Sequence, residues 1–287
     1  MQTVKYINSK QESVEFGYAP PLVLQRIEGT GNIDGNTQSQ KSPNQDGRTY
    51  IDSKLDVREL FLETTILTTD SKTLFELREQ IQKVFNPKLG EGILEYSTPN
   101  GTKIIKGVSD GTPVFSQYNG NSVKCQITLI CNDPFWYDLE ANNYEFSAPY
   151  IPLFEFPFFT DAENEIEFGL EQETVSVNNE GTVYTPLIIE FHGGVKNATL
   201  TNMTTGEFIE IKKELLYGET LIIDTSFGKR KVKLQRVGGE QENGFKYLAF
   251  DSKFLQLEEG LNDIEYKAEA DGNVTIKIKW TNRYIGL

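Results

Sequence analysis

The sequence predicts a mainly β fold, in which a β domain with one helix, of the α+β type, precedes a β-sandwich. Three patterns support this fold class. Apolar and polar residues alternate through much of the first half, one stretch has helical spacing, and short alternating runs recur after residue 166 between Gly, Asn and Asp turns. The 287 residues suffice for two domains. We expect a first domain at 1–138, a connector at 139–162 and a second domain at 163–287.

Strands dominate the first domain. The run RELFLETTIL places Leu60, Leu62 and Ile66 in alternation, as in a strand with one buried face. The run GILEYSTPNGTKIIKGVS contains two short apolar segments around Pro99-Asn100-Gly101, which indicates a hairpin turn.

One helix is predicted in the first domain, at residues 70–87, because the apolar residues of that stretch recur at helical spacing. Thr73 and Glu76 fit a capping box, and Asp70 or Ser71 are alternative caps. Asn86-Pro87 ends the helix, because a residue before proline is disfavoured in helical conformation.

A polar stretch interrupts the first domain at residues 28–50. Its single aliphatic residue before Tyr50 is Ile33, and Gly and Asn are frequent in it. Loops in compact domains usually have about 4–6 residues, so a stretch of this length without an apolar pattern is unusual. We expect a structureless, mobile arm between strands that makes a contact between subunits.

The first domain closes on the sequence CNDPFWYDLE, residues 131–140. Proline has no N–H and restricts the residue before it, so Asp133-Pro134 ends the last strand. Phe135, Trp136 and Tyr137 follow directly, and a buried aromatic side chain removes roughly 150–250 Å² from water. We predict that these five residues anchor the start of the connector at the hinge between the domains.

The connector and the second domain have different patterns. Prolines and aromatics alternate in the connector, which favours an extended segment over a helix or a central strand. Short strands separated by turns, with no helix, are typical of a β-sandwich. We expect strands in the segments EIEFG, ETVSVNNEG, TPLIIEFHGG, ATLTNMTTGEFIEI, ETLIIDTSFGKRKVKL, KYLAFDSKF and NVTIKIKWTNRY.

The formal net charge of −14 argues against binding to a nucleic-acid backbone, which needs clustered Lys and Arg. Between Lys124 and Lys196 the chain has thirteen carboxylates and no Lys or Arg. This stretch indicates a solvated surface, or one that meets a basic partner or repels nucleic acid.

The start of the sequence lacks the apolar core of a secretory signal, and no run reaches the ~18 apolar residues of a membrane span. We therefore expect a soluble protein made in a cytoplasm. Cys125 and Cys131 lie six residues apart in one predicted strand, so they are too distant to bridge and we expect buried free thiols.

The sequence gives little support for catalysis. The single histidine, His192, precedes a Gly-Gly turn and has no nucleophile-elbow motif beside it, although Ser226 and Asp224 complete the residue types of a triad. Together with only two cysteines, this leaves no pattern for a metal or another cofactor, and we expect none.

Two features keep a carbohydrate-related alternative open. In the run ENEIE, Glu163, Glu165 and Glu167 share one face of a strand at ~6.6 Å spacing, close to the carboxylate separations of glycosidases. Trp280 is a candidate sugar platform, although it fits the core of a last strand better. A carbohydrate-binding or glycan-cleaving β-sandwich is thus the alternative function.

Several segments occur together in a recognisable order, beginning with FGYAPPLVLQRIEGTG, followed by one helix in a β domain and by ITLICNDPFWYD. The second domain continues with VNNEGTVYTPLIIEF, NMTTGEFIEI, TLIIDTSFGKRKV, FLQLEEGLNDIEY and a terminal TNRYIGL. In this order the chain resembles, over nearly its whole length, the distal tail protein family of long-tailed bacteriophages.

The resemblance implies a non-enzymatic structural protein of a phage tail tip or baseplate. Six copies would form a ring in which the N-terminal domain surrounds the DNA channel below the tail-tube protein, and DNA would pass without specific binding. A galectin-like C-terminal sandwich would carry tail-tip hub and receptor-binding proteins. The expected location is the virion tail tip, assembled in the bacterial host cytoplasm, with no membrane insertion.

The resemblance does not imply that this protein itself binds host glycans. The second domain has about 120 residues, which is enough for one sandwich but not for an inserted carbohydrate-binding module. A homologous adaptor of a phage-derived contractile particle fits the sequence equally well.

Overall fold

The computed structural model describes residues 2–116, 118–148, 171–270 and 274–287. The chain forms two compact units: Met1–Leu139 together with Tyr284–Leu287, and Glu140–Arg283. Both consist mostly of strands, and the described part of the chain has one α-helix, as the predicted fold class requires. The runs ENEIE and EIEFG and the prolines at 149, 152 and 157 lie outside the described residues.

The first unit contains eleven strands, one α-helix and a short 3₁₀ helix, Pro87–Leu89. The elements are β1 (Thr3–Ile7), β2 (Ser13–Phe16), β3 (Leu22–Glu28), β4 (Gly35–Gln40), β5 (Thr49–Leu55), β6 (Arg58–Leu67), α1 (Ser71–Val84), β7 (Gly92–Thr98), β8 (Gly101–Ser109), β9 (Val114–Phe115), β10 (Ser122–Cys131) and β11 (Trp136–Asp138).

A continuous antiparallel sheet forms the body of the first unit, with strand order β2-β1-β7-β8-β10-β6-β3. Its longest pairing joins β6 and β10, where Leu60 lies opposite Leu129 and Leu62 opposite Ile127. The alternation predicted for β6 is confirmed, because Leu60, Leu62 and Ile66 are buried. The predicted turn at Pro99-Asn100 also connects β7 to β8.

Helix α1 begins at Ser71 and packs one apolar side against the sheet. Of the possible caps, Asp70 is the one used, and its carboxylate accepts a 2.9 Å hydrogen bond from the Thr73 N–H. Leu74 and Ile81 are buried on the inner side. The residue that follows the helix, Phe85, stacks on Tyr6 with ring centroids 4.5 Å apart, so the helix end is held in the core.

Residues 35–55 form a two-stranded hairpin, β4–β5, that is paired to no other strand of the described chain. We call it the arm. The expectation of a structureless arm was therefore wrong, because the polar residues of both strands pair with each other. None of the arm residues is buried, and even the apolar side chains of Tyr50 and Ile51 are 63% and 57% exposed. An isolated hairpin of this kind is marginally stable in water.

The second unit contains further strands and a 3₁₀ helix, Phe245–Tyr247. The strands are β12 (Asn142–Ala148), β13 (Glu171–Asn179), β14 (Thr185–His192), β15 (Val195–Asn202), β16 (Glu207–Glu210), β17 (Thr220–Asp224), β18 (Lys231–Gln235), β19 (Gln241–Asn243), β20 (Gln256–Leu257), β21 (Gly260–Ala270) and β22 (Val274–Trp280). The last strand, β23 (Arg283–Tyr284), lies at the boundary in sequence, since Tyr284 already belongs to the first unit.

Two antiparallel sheets build the second unit, with strand orders β12-β22-β14-β17-β18-β19 and β13-β21-β15-β16. Their inner faces share one apolar core, to which Phe191 and Tyr266 contribute from opposite sheets. This arrangement is a β-sandwich, because the two sheets face each other across one apolar core. Trp280 is buried in β22, as its core interpretation predicted.

One predicted strand of the second unit is not observed, and the start of the connector, which was expected to be extended, forms an edge strand. The segment KYLAFDSKF, 246–254, is not a strand; it contains part of the 3₁₀ helix and turns. The predicted connector begins with a strand, since β12 pairs along its length with β22 at the edge of the larger sheet. Residues 142–148 contain no proline, so they can form this pairing.

Candidate functional site

A buried arginine joins three segments of the first unit. Arg58 begins β6, and the β6 alternation turns its side chain to the buried face, where 1% of the residue is exposed. Its Nε donates a hydrogen bond to the carbonyl oxygen of Pro134 at 2.7 Å, and its Nη2 donates to that of Ile285. We call this arrangement the Arg58 junction.

The third segment of the junction is the loop that leads from β3 to the arm. Nη1 of Arg58 donates to the carbonyl oxygens of Gly29 at 2.5 Å, Asn32 at 3.1 Å and Thr30 at 3.3 Å. Gly29 has a φ of 85°, and a Cβ there would lie 1.9 Å from the Glu59 carbonyl oxygen. Position 29 of this loop therefore accepts only glycine. The loop holds the root of the arm against β6.

Electrostatically the junction is a cation surrounded by backbone carbonyls. The guanidinium has no carboxylate partner among the described residues, and its donors are instead matched by five carbonyl oxygens. Burial is the larger effect on the pKa of Arg58 and lowers it, whereas negative charge on a Cys131 thiolate would raise it. A buried charge is tolerated only when its hydrogen bonds are satisfied, so the junction fixes all three segments together.

Of the five residues singled out in the sequence, Pro134 and Trp136 contact this junction. Trp136 is fully buried, and its Nε1 donates a 3.1 Å hydrogen bond to the Thr30 carbonyl oxygen. Tyr137 donates a hydrogen bond from its hydroxyl to the Asp133 carboxylate, and Pro134 supplies a carbonyl to Arg58. Phe135 is partly buried. The role of these residues as an anchor between the domains stays a prediction.

The last four residues of the chain return to the first unit. The Leu287 N–H donates to the Thr30 carbonyl at 3.2 Å, and the Tyr284 hydroxyl donates to Asp138 at 3.3 Å. The Lys103 ammonium lies 3.8 Å from the centroid of the Tyr284 ring and also pairs with Asp138. The C-terminal tail is thereby fastened beside Trp136.

Two buried thiols lie in the same unit. Cys125 and Cys131 are both free and buried, as expected. Burial raises the pKa of Cys131 to about 12 and that of Cys125 to about 11. Both thiols are therefore protonated and unreactive at neutral pH, and they act as small core residues.

The triad residue types in the second unit are not brought together. His192 Nε2 lies 3.3 Å from the Glu190 carboxylate and Nδ1 lies 3.2 Å from the Thr220 hydroxyl. The Asp224 carboxylate accepts from the Ser226 N–H, and strand register places Asp224 opposite Ile188, four residues before His192. This histidine ends its strand before the Gly-Gly turn.

Within the described ranges, no three His, Cys, Asp or Glu side chains are grouped closely enough to hold a metal ion. The helix found in those ranges is too short and too polar to cross a membrane.

The sequence analysis did not predict the roles of Arg58 and the C-terminal tail in this site. A signal for Arg58 was present, because it stands two residues before Leu60 and thus on the apolar face of the β6 alternation. A charged residue at such a position needs buried acceptors. The acceptors themselves are backbone carbonyls from distant segments, which no sequence pattern reveals.

Family comparisons match both units. Residues 9–131 match the phage tail protein RIFT-related domain, and residues 180–284 match the siphovirus-type tail component, C-terminal domain. No curated protein matches the chain.

Solved structures share the fold over the full chain. The Dit (gp 19.1) protein of phage SPP1, described as a paradigm of the hub adsorption apparatus in phages that infect Gram-positive bacteria, superposes with a TM-score of 0.64 at 14% identity, covering 98% of each chain. Chains from two structures of the phage p2 baseplate in its activated conformation, with Ca and with Sr, give TM-scores of 0.54 and 0.53 at 9% identity, covering 100% of each chain.

Proposed function

This chain belongs to the distal tail proteins of siphovirus-type phages, and we propose that six copies of it form a ring that joins the tail tube to the tip. It is a structural component of the phage tail or baseplate hub. The proposal concerns the ring, the number of copies in it and the proteins that neighbour it in the tail.

The arm is the observation that carries the proposal. It has no buried residue, and Tyr50, Ile51, Leu55 and Val57 expose apolar surface along and just beyond it. A hairpin that is paired to no other strand of the described residues is marginal, and burial against a second chain would stabilise it. The Arg58 junction holds its root, so the arm projects from a fixed point.

A closed ring is the assembly that suits such an arm. Rings use two different surface patches on each subunit, so the arm of one copy contacts a separate patch on the next. A candidate for the second patch is the short strand β9, which lies beside β10 and exposes 63% of Val114. Unpaired strand edges readily accept another strand.

Charge fits passage of DNA rather than its binding. The net charge is −14, and the chain has no excess of Lys and Arg with which to bind a phosphate backbone. We propose that the first unit surrounds the channel and that the second unit carries tip and receptor-binding proteins. No catalytic step is part of this function, and the protein would be located at the virion tail tip after assembly in the host cytoplasm.

Electron microscopy of the purified full chain tests the proposal. The expected image is a ring with six-fold symmetry and a central hole. Particles without a hole, or rings with another symmetry, contradict it.

A further inference from the structure

A cleft of about 380 Å³ lies at the edge of the larger sheet of the second unit. Strands β18 and β19 provide most of its surface, and β19 is the last strand in the sheet order. Its lining residues are Lys231, Val232, Lys233, Gln241, Glu242, Asn243 and Phe245. Lys233 lies opposite Asn243 in the strand register, so their side chains share one face of the sheet.

Aromatic side chains stand in a row beside the cleft. Phe245 is 45% exposed in its lining, and its ring centroid lies 6.1 Å from that of Phe254. The guanidinium of Arg230 lies 4.9 Å from the Phe254 ring and 5.7 Å from the Phe227 ring, which is 85% exposed. The two rings hold Arg230 by cation–π contact and leave its N–H groups available to a ligand.

The cleft is basic although the protein is acidic. Residues 225–239 contain five Lys or Arg and no Asp or Glu, whereas the whole chain has a net charge of −14. Lys229, Arg230 and Lys231 form no ion pair with any residue in the described ranges, and Lys233 donates to the Gln241 amide oxygen at 3.2 Å. The Glu242 carboxylate in the lining pairs with Arg236, and Asp224 lies opposite Lys231 in the strand register. An excess of cations remains at this edge and attracts an anion.

We propose that this cleft binds an anionic saccharide, a sugar that carries a phosphate or a carboxylate. The volume is that of a small-ligand site and accommodates only a few sugar units. Lys231 and Lys233, both in the lining, meet the anionic group, while Gln241 and Asn243 hydrogen-bond hydroxyls. Phe245 offers an apolar face for the sugar ring. A protein partner needs a larger and drier surface than this polar cleft provides.

Calorimetric titration of the full chain with three forms of maltotriose tests the proposal. The forms are neutral maltotriose, maltotriose with a phosphate on the terminal sugar and maltotriose with a carboxylate there. We expect at least one charged form to bind, more weakly at about 500 mM than at about 50 mM salt, and the neutral form to bind at least about tenfold more weakly. The charged form that binds more tightly identifies the anionic group as phosphate or carboxylate.

Variants locate the site. Lys231→Gln/Lys233→Gln removes two exposed cations and is expected to weaken binding of the charged form by about tenfold or more, since a charge-assisted hydrogen bond is lost. The control is Lys267→Gln/Lys277→Gln, which removes two lysines of the same unit outside the cleft and should leave binding unchanged. Equal loss in both variants, equal binding of the neutral form, or tighter binding of an oligoglutamate peptide overturns the proposal.

Discussion

The side-chain Nε of Arg58 donates a 2.7 Å hydrogen bond to the carbonyl oxygen of Pro134, 76 positions later in the chain. This bond connects the first residue of β6 to the segment that closes the first unit. The same guanidinium holds the loop at the root of the arm, so arm position and unit stability depend on one side chain.

Replacing this arginine should destabilise the first unit. Arg58→Lys keeps the charge but cannot reach five carbonyls, and we expect a loss of about 2–4 kcal/mol in unfolding free energy. The measurement is urea unfolding followed by Trp136 fluorescence in a Trp280→Phe background. Arg48→Lys, at an exposed position of the arm region, is the control and should cost less than about 0.5 kcal/mol. Equal stabilities of the two variants contradict the role of the junction.

Trp136 should contribute through both packing and its hydrogen bond. Trp136→Phe keeps an aromatic ring but loses the bond to Thr30 and leaves a gap, so we expect a cost of about 1–3 kcal/mol. Chemical denaturation followed by circular dichroism measures it. Phe250→Leu, at a fully exposed aromatic of the second unit, is the control. A Trp136→Phe protein as stable as the control would show that the bond and the packing contribute nothing.

The loop at the arm root should not tolerate a side chain. Gly29→Ala places a Cβ against the Glu59 carbonyl in a left-handed conformation, so we expect a loss of about 3 kcal/mol or more. Gly47→Ala is a matched control, because Gly47 has a φ of 78° with open space around its Cβ position. It should lose about 1–2 kcal/mol from backbone strain alone. Thermal unfolding of the two variants gives the difference, and equal losses would exclude the clash.

Stability should fall at high pH because of the buried thiols. Burial raises the pKa of Cys131 from 9.0 to about 12, so the folded state keeps a proton that the unfolded chain releases. The stabilisation is complete below pH 9.0 and is lost as pH rises toward about 12, at about 1.4 kcal/mol per pH unit. Unfolding free energies measured from pH 8 to pH 11 test this.

A pair of variants isolates the thiol. Cys131→Ala should reduce the slope of stability against pH above the thiol's ordinary pKa. Leu129→Ala truncates a buried neighbour on β10 that does not titrate, and it should keep the wild-type slope despite lower stability. A Cys131→Ala protein with the wild-type slope would assign the pH dependence to other groups.

Local patterns were sufficient for much of the fold. The apolar spacing of α1 and the alternation of β6 each follow from side chains within one segment, and they were predicted correctly. The Asp70 cap was one of three alternatives that the sequence left open. The two strands of the arm were not predicted, because they carry polar residues on both faces and pair only with each other. A strand without a buried face has no period-two apolar signal.

The candidate site was predicted in part. Trp136 and its neighbours stood out because a proline and three aromatics together are unusual, but their partners did not. Thr30, Ile285 and Leu287 contribute backbone groups from distant segments, and backbone acceptors carry no residue-type signature. In the sequence, the basic cleft shows only as the run GKRKVK, since Phe245 and Phe254 beside it come from separate segments.

Apolar residues of the arm should matter for assembly and not for the single chain. Tyr50→Ser/Ile51→Ser changes exposed side chains, so the unfolding free energy of the monomer should change by less than about 0.5 kcal/mol. Assembly should weaken, because the interface loses apolar area. Sedimentation velocity over a concentration series measures this, with Val237→Ser in the second unit as the control. Assembly unchanged in the arm variant would place the interface elsewhere.

The most direct test of ring formation through the arm is the molar mass in solution. Light scattering on the full chain should give six times the 32.5 kDa chain mass. A variant in which Gly35–Leu55 is replaced by a short Gly-Ser linker should give the mass of one chain, with circular dichroism unchanged outside the lost strands. A full chain that stays monomeric at high concentration, or an armless variant that still forms the hexamer, would contradict the proposed assembly.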